Sequence, residues 1–91
     1  MEINDYPNYL IYEDGRVWSK TSNKFLKAVI NPGGYLQLNL YNPKRSTITI
    51  HRLIALHYIT NPNNYPEVDH IDRNTLNNNV SNLRWATRQS K

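Results

Sequence analysis

The sequence predicts an α+β fold: a small N-terminal antiparallel β-sheet, then one short helix, then a strand–loop–strand–helix unit. Three observations carry that prediction. Asp14-Gly15, a strong hairpin signal, separates two short apolar runs. Residues 35–41 alternate, with Leu36, Leu38 and Leu40 on one side and Tyr35, Gln37, Asn39 and Tyr41 on the other. Residues 51–59 hold good helix formers without a breaker and stop before Asn61-Pro62.

Taken in order, residues 9–12 form a short apolar strand and residues 16–19 its return. Thr21-Ser22-Asn23 is turn chemistry, and an apolar pattern resumes over 25–30. Asn31-Pro32-Gly33-Gly34 is a turn that leads into the 35–41 strand. Asn42-Pro43-Lys44-Arg45 is another, leading to the β-branched run 46–50. After the helix, Pro62 and Pro66 and the asparagines between them enforce a loop. Residues 67–71 and 80–85 read as strands, with the polar stretch 72–79 as a tight loop between them. Residues 86–91 read as the start of a helix with Thr87 as N-cap. The two halves, 1–50 and 51–91, are expected to form one compact unit, because 91 residues are too few for two independent cores.

Composition narrows the chemistry. There is no cysteine, which removes disulfides, thiolate metal sites and thiol nucleophiles. No apolar run approaches the ~20 residues of a membrane span, and the acidic, polar start is unlike a signal peptide, so an intracellular protein with no membrane partner is expected. The net charge is +4, and no acidic residue occurs from Gly15 to Pro66, where Arg16, Lys20, Lys24, Lys27, Lys44, Arg45 and Arg52 all fall. A polyanion such as nucleic acid is the partner that this asymmetry favours over an ordinary basic surface.

Glu67, Asp69 and Asp72 are the only carboxylates after Asp14, and all lie within three residues of His70. In a chain built to meet phosphate a carboxylate works against affinity, which points to a task such as holding a divalent cation. Hydrolysis of a phosphodiester needs a cation to neutralise charge, a base to activate water and basic side chains to position the backbone. Asp69 can supply the first, His70 the second and the basic sheet the third. Asp69 and His70 would face opposite sides of a strand, so they can share one reaction centre only where the strand ends or bends.

Val68-Asp69-His70-Ile71-Asp72-Arg73-Asn74, Asn77-Asn78 and Asn82-Leu83-Arg84-Trp85-Ala86-Thr87 together resemble the His-Asn-His (HNH) endonucleases. His51-Arg52-Leu53-Ile54-Ala55, Asn61-Pro62 and the run from Tyr9 to Ser19 look like the branch found in phage and intron-encoded homing or nicking enzymes, in which a β module precedes the nuclease motif. The resemblance implies a ββα-metal motif over 51–91 around one divalent cation, Mg²⁺ or Mn²⁺, with a DNA-contacting β module over 1–50. It implies His70 as general base, Asp69 as metal ligand and Asn82 as the middle asparagine that orients the histidine by a hydrogen bond. Asn77 and Asn78 are read as loop stabilisers. Arg16, Lys24, Lys27, Lys44, Arg45, Arg52, Arg73, Arg84 and Arg88 are the candidate DNA contacts. His51 is expected to pack against the motif, His57 to be a satisfied boundary histidine, and Trp18 and Trp85 to be core. Tyr35 and Tyr41 are assigned to solvent, with sugar or base contact as the alternative.

Three departures from the family pattern stand out. Lys91 occupies the position of the second metal ligand, nine residues after Asn82, and an ammonium cannot ligate a cation. Either the chain is catalytically impaired, or Asp69, water and phosphate hold the metal, or Lys91 has another role. Arg73 stands where a turn glycine is usual. The DNA-binding helices that follow the motif in homing relatives are absent from this sequence, so weak or short sequence specificity is expected unless a partner supplies it. The expected function is metal-dependent DNA cleavage, by a monomer that nicks one strand or a homodimer that cuts both, in the cytoplasm of a phage- or virus-infected host. The alternative is a nucleic-acid binding module that keeps the fold without the chemistry. A purely structural domain leaves the basic stretch and the Asp69-His70 pair unexplained.

Overall fold

The computed structural model describes residues 1–88. The strands are β1 (Glu2–Ile3), β2 (Tyr6–Ile11), β3 (Val17–Ser19), β4 (Lys24–Phe25), β5 (Val29–Ile30), β6 (Leu36–Tyr41) and β7 (Arg45–Thr49). Helix α1 (Ile50–Tyr58), strand β8 (Glu67–His70), a 3₁₀ turn (Val80–Asn82) and strand β9 (Leu83–Ala86) follow. Every pairing is antiparallel. The α+β class therefore holds, but the single N-terminal sheet expected from the sequence is two. One has the order β1-β2-β3-β4 and the other β5-β6-β7, while β8 and β9 form a separate ribbon.

The differences have local causes. The apolar run 25–30 is divided between the two sheets: Phe25 closes the first and Val29–Ile30 opens the second. β1 is a two-residue edge strand, too short to leave an alternating pattern. Helix α1 starts at Ile50, one residue earlier than read, directly after the β-branched run of β7. β9 begins only at Leu83, because Val80–Asn82 close a 3₁₀ turn capped by Asn79, whose side chain accepts from the Ser81 N–H. Ala86, read as opening a helix over 86–91, is instead the last residue of β9, and residues 89–91 of that reading, Lys91 among them, lie outside the described residues.

The first hairpin forms where Asp14-Gly15 placed it: Gly15 has φ +96°, its N–H donates to Tyr12 O, and Tyr12 N–H donates to Arg16 O. In β6, Leu38 and Leu40 are buried while Asn39 and Tyr41 are exposed, the alternation that the sequence carries. Helix α1 buries Ile50, Leu53, Ile54 and Ala55 against both sheets and the ribbon, and one core joins Ile11, Val17, Leu40, Leu53, Ile54, Val68 and Leu83. Two polar bonds tie the helix end to its neighbours: Tyr58 Oη donates to Ile11 O at 2.6 Å, and Trp85 Nε1 donates to Ile59 O at 3.0 Å. His57 is satisfied on both nitrogens, with Nδ1 on Leu53 O and Nε2 accepting from Asn4 N–H. No helix among the described residues is long and apolar enough to cross a membrane.

Leu40 is fully buried where the second sheet meets the helix. Leu40→Ala is expected to cost about 2–5 kcal/mol, a large share of the stability of a domain this size, as read from urea denaturation. A loss below about 1 kcal/mol would show that this core is not close-packed there.

Candidate active site

The ribbon positions the acidic and imidazole side chains. β8 and β9 pair Asp69 with Arg84 and His70 with Leu83. Directly opposed residues project to the same face, and Arg84 donates from Nε and Nη2 to Asp69 Oδ2 at 3.0 and 2.9 Å. Both bonds fall on one oxygen, so the second carboxylate oxygen of Asp69 has no part in the pair. His70 ends the strand. Its carbonyl accepts from Arg73 N–H at 2.9 Å, so the chain turns at once, with Arg73 in the left-handed region at φ +64°. That backbone region favours glycine, and Arg73 adopts it with a side chain. The turn brings Asp69 and His70 to a single pocket of about 240 Å³, lined also by Tyr35, Val68, Arg73 and Thr75.

The imidazole of His70 is held inside a polar and aromatic frame. It is 4% exposed, and its Nε2 lies 2.8 Å from Oδ1 of Asn78, which is itself buried. Because a carboxamide oxygen only accepts, Nε2 is the donor in this bond, and in the neutral ring the lone pair is then on Nδ1. The Tyr35 ring stacks on His70 with centroids 5.9 Å apart, and His51 meets it edge-on at 5.1 Å. His51 thus packs against the motif as expected. Tyr35, assigned to solvent from its place in the alternating strand, instead forms a wall of the pocket. It precedes β6 in a turn whose Gly34 carbonyl accepts from Thr75 Oγ1.

The role expected for Asn82 needs correction. Its side chain does not bond His70. Nδ2 donates to Asp72 Oδ1 at 2.8 Å and to Asn77 O at 2.9 Å, and Oδ1 accepts from Asp72 N–H at 3.0 Å. Its backbone O accepts from Ile71 N–H at 2.7 Å. With its amide saturated by the loop, Asn82 closes residues 71–82 into a rigid turn, and the bond to His70 comes from Asn78. Nothing local in the sequence separates the two, since Asn77, Asn78, Asn79 and Asn82 share one polar run. Both are buried, and what distinguishes them is the neighbour each meets: Gly15 of the N-terminal hairpin for Asn78, and Asp72 for Asn82.

Of the basic residues singled out, Arg73 lines the pocket and Arg84 reaches its edge through the ion pair with Asp69. Arg88 is largely exposed and 3.9 Å from Glu67. Lys24, Lys27, Lys44 and Arg45 are exposed on the two sheets and their turns. Arg16 pairs with Asp14 at 2.8 Å and lies over the Phe25 ring. Arg52 has a structural task, donating to Pro66 O at 3.1 Å with its guanidinium over Trp85.

The donor set bears on the cation that the resemblance implies. Among the described residues no group of three His, Cys, Asp or Glu side chains is gathered as a ligand cage. A single carboxylate oxygen facing an open pocket fits a hard cation that keeps several waters and takes further ligands from substrate phosphate, the habit of Mg²⁺.

Comparison with known proteins identifies relatives of the chain. Residues 49–91 match the HNH endonuclease family. The chain is 57% identical over 88 residues to the uncharacterized HNH endonuclease L245 of Acanthamoeba polyphaga mimivirus, covering 96% of this chain and 27% of that protein. It is 40% identical over 90 residues to the H-N-H endonuclease F-TflII of Escherichia phage T5, covering 96% and 47% respectively. The solved structure of the HNH homing endonuclease I-HmuI, described for DNA binding and cleavage, superposes with a TM-score of 0.91 at 35% identity, over 99% of this chain and 53% of that one. I-HmuI is a DNA endonuclease of Bacillus phage SP01. The chain spans about half the length of these phage relatives and about a quarter of the mimiviral one.

The loop lock has a pH signature. The Asn74 N–H, then the Asn82 and Asn77 amides, hold the Asp72 carboxyl below the usual carboxylate range. A depressed folded-state value stabilises the fold above the unfolded value of about 3.9, and that contribution is lost as pH falls through it towards the folded value. Asp72→Asn is expected to lower the urea midpoint near neutral pH and to flatten its fall below about pH 5. A variant whose midpoint follows the wild-type curve would remove Asp72 from the lock.

Proposed function

The chain belongs to the HNH endonuclease family, and from that premise we propose that it cleaves DNA by metal-dependent hydrolysis, with His70 as general base. The observation that carries the reading is the shared pocket: a buried imidazole whose Nε2 is bonded to Asn78, beside a carboxylate with one oxygen outside its ion pair. In this scheme Nδ1 takes a proton from water as the water oxygen attacks phosphorus, and the 3′ oxygen departs with the P–O bond pair and takes a proton from solvent water. The products are a 5′ phosphate and a 3′ hydroxyl. Asp69 would hold the cation, Mg²⁺ or Mn²⁺, which supplies charge neutralisation at the phosphate and the leaving oxygen. Arg73 and Arg84 stand where guanidinium groups can meet phosphate oxygens, with Arg88 and the exposed cations of the sheets extending the basic surface.

One pocket acting alone cuts one strand, so a monomer nicks. The reading also covers the ligand problem at position 91: with Asp69, water and phosphate as donors, no contribution from Lys91 is needed. The competing reading, a binding module that keeps the fold and has lost the chemistry, draws its support from that lysine.

A supercoiled plasmid separates the two. Relaxation is expected with Mg²⁺ or Mn²⁺ and not with EDTA. His70→Ala is expected to reduce cleavage by at least about 100-fold while leaving DNA affinity nearly unchanged. Binding without metal-dependent nicking in the wild type would favour the module.

A further inference from the structure

The Asn78 amide is as buried as the imidazole it meets, at 5% and 4% exposure, and a specific scaffold puts it there. Gly15, at the tip of the first hairpin, lies so close that an added Cβ would come within 3.2 Å of Asn78 Cβ and 3.4 Å of its carbonyl oxygen. The next loop residues are tied to the same hairpin, since Val80 N–H donates to Glu13 O at 2.8 Å. The N-terminal sheet thus reaches the histidine through one side chain. Ring contacts with Tyr35 and His51 restrain the plane of His70, but only a hydrogen bond distinguishes its two nitrogens. We propose that Asn78, braced by the Glu13–Gly15 hairpin tip, is the positioning residue that keeps His70 in the Nε2–H form with Nδ1 facing the pocket. This rests on the reading of His70 as general base and adds to it the group that sets the tautomer, a task that the family pattern would give to Asn82.

Nitrogen-15 chemical shifts of His70 in the free protein at mildly alkaline pH report the tautomer without any catalytic assay. The wild type is expected to show a protonated Nε2 and a bare Nδ1. The opposite tautomer would overturn the proposal, and this result needs no variant to fold. Asn78→Leu is expected to mix the tautomers and to lower kcat about 10- to 100-fold with KM for DNA nearly unchanged. Asn78→Asp, which keeps an acceptor, is expected to restore the Nε2–H form and to recover most of that loss. A Leu variant with the wild-type tautomer, or an Asp variant as impaired as Leu, would reduce Asn78 to a packing residue. If His70→Ala still cleaves, the assignment of the base fails instead, and the tautomer result stands apart from it.

Discussion

Neighbouring side chains of a β-strand point to opposite faces, and the site exists only because β8 ends at His70. Asp69 is in register with Arg84 and His70, the last residue of β8, with Leu83, and the chain turns directly after it. The bond from Arg73 N–H to His70 O and the left-handed conformation of Arg73 set the sharpness of that turn. Ribbon, loop and helix can be understood as the means of keeping the strand end where it is.

Much of that task falls to asparagine. Asn82 saturates its amide within the 71–82 loop, Asn79 caps the 3₁₀ turn, Asn77 bonds Asp72, and Asn78 meets the histidine. A neutral hydrogen bond contributes about 1 kcal/mol net, whereas a buried group left without one costs about 1–3 kcal/mol. The network therefore specifies one loop conformation more than it adds stability. The Asp72 carboxylate is favoured by the Asn74 N–H and then by the Asn82 and Asn77 amides. Arg84 serves Asp69 differently: two donors on one oxygen fix the carboxylate plane and leave the other oxygen to the pocket.

Elements with a repeating signature were legible in the sequence. The leucine alternation of β6, the Asp14-Gly15 hairpin and the breaker-bounded helix each sit within about a residue of their reading. What was not legible depends on contacts remote in the chain. The division of 25–30 between two sheets is decided by partners, Trp18 for Phe25 and Gln37 for Val29. Arg52 looked like a phosphate contact because its charge is visible in the sequence, while the Trp85 ring and the Pro66 carbonyl beside it are not. Asn78 and Asn82 differ in task because one is pressed against Gly15 and the other faces Asp72. Tyr35 was placed in solvent by strand parity, but it precedes β6 and escapes that parity.

The most direct measurement is a crystal structure of the chain with a DNA duplex and Mn²⁺, located by its anomalous signal. The account requires the ion on the Asp69 oxygen not used by Arg84, a backbone phosphate in the pocket beside Tyr35 and Arg73, and Nδ1 of His70 facing phosphorus across a water. An ion bound away from Asp69, or a duplex lying on a surface from which His70 is out of reach, would contradict it.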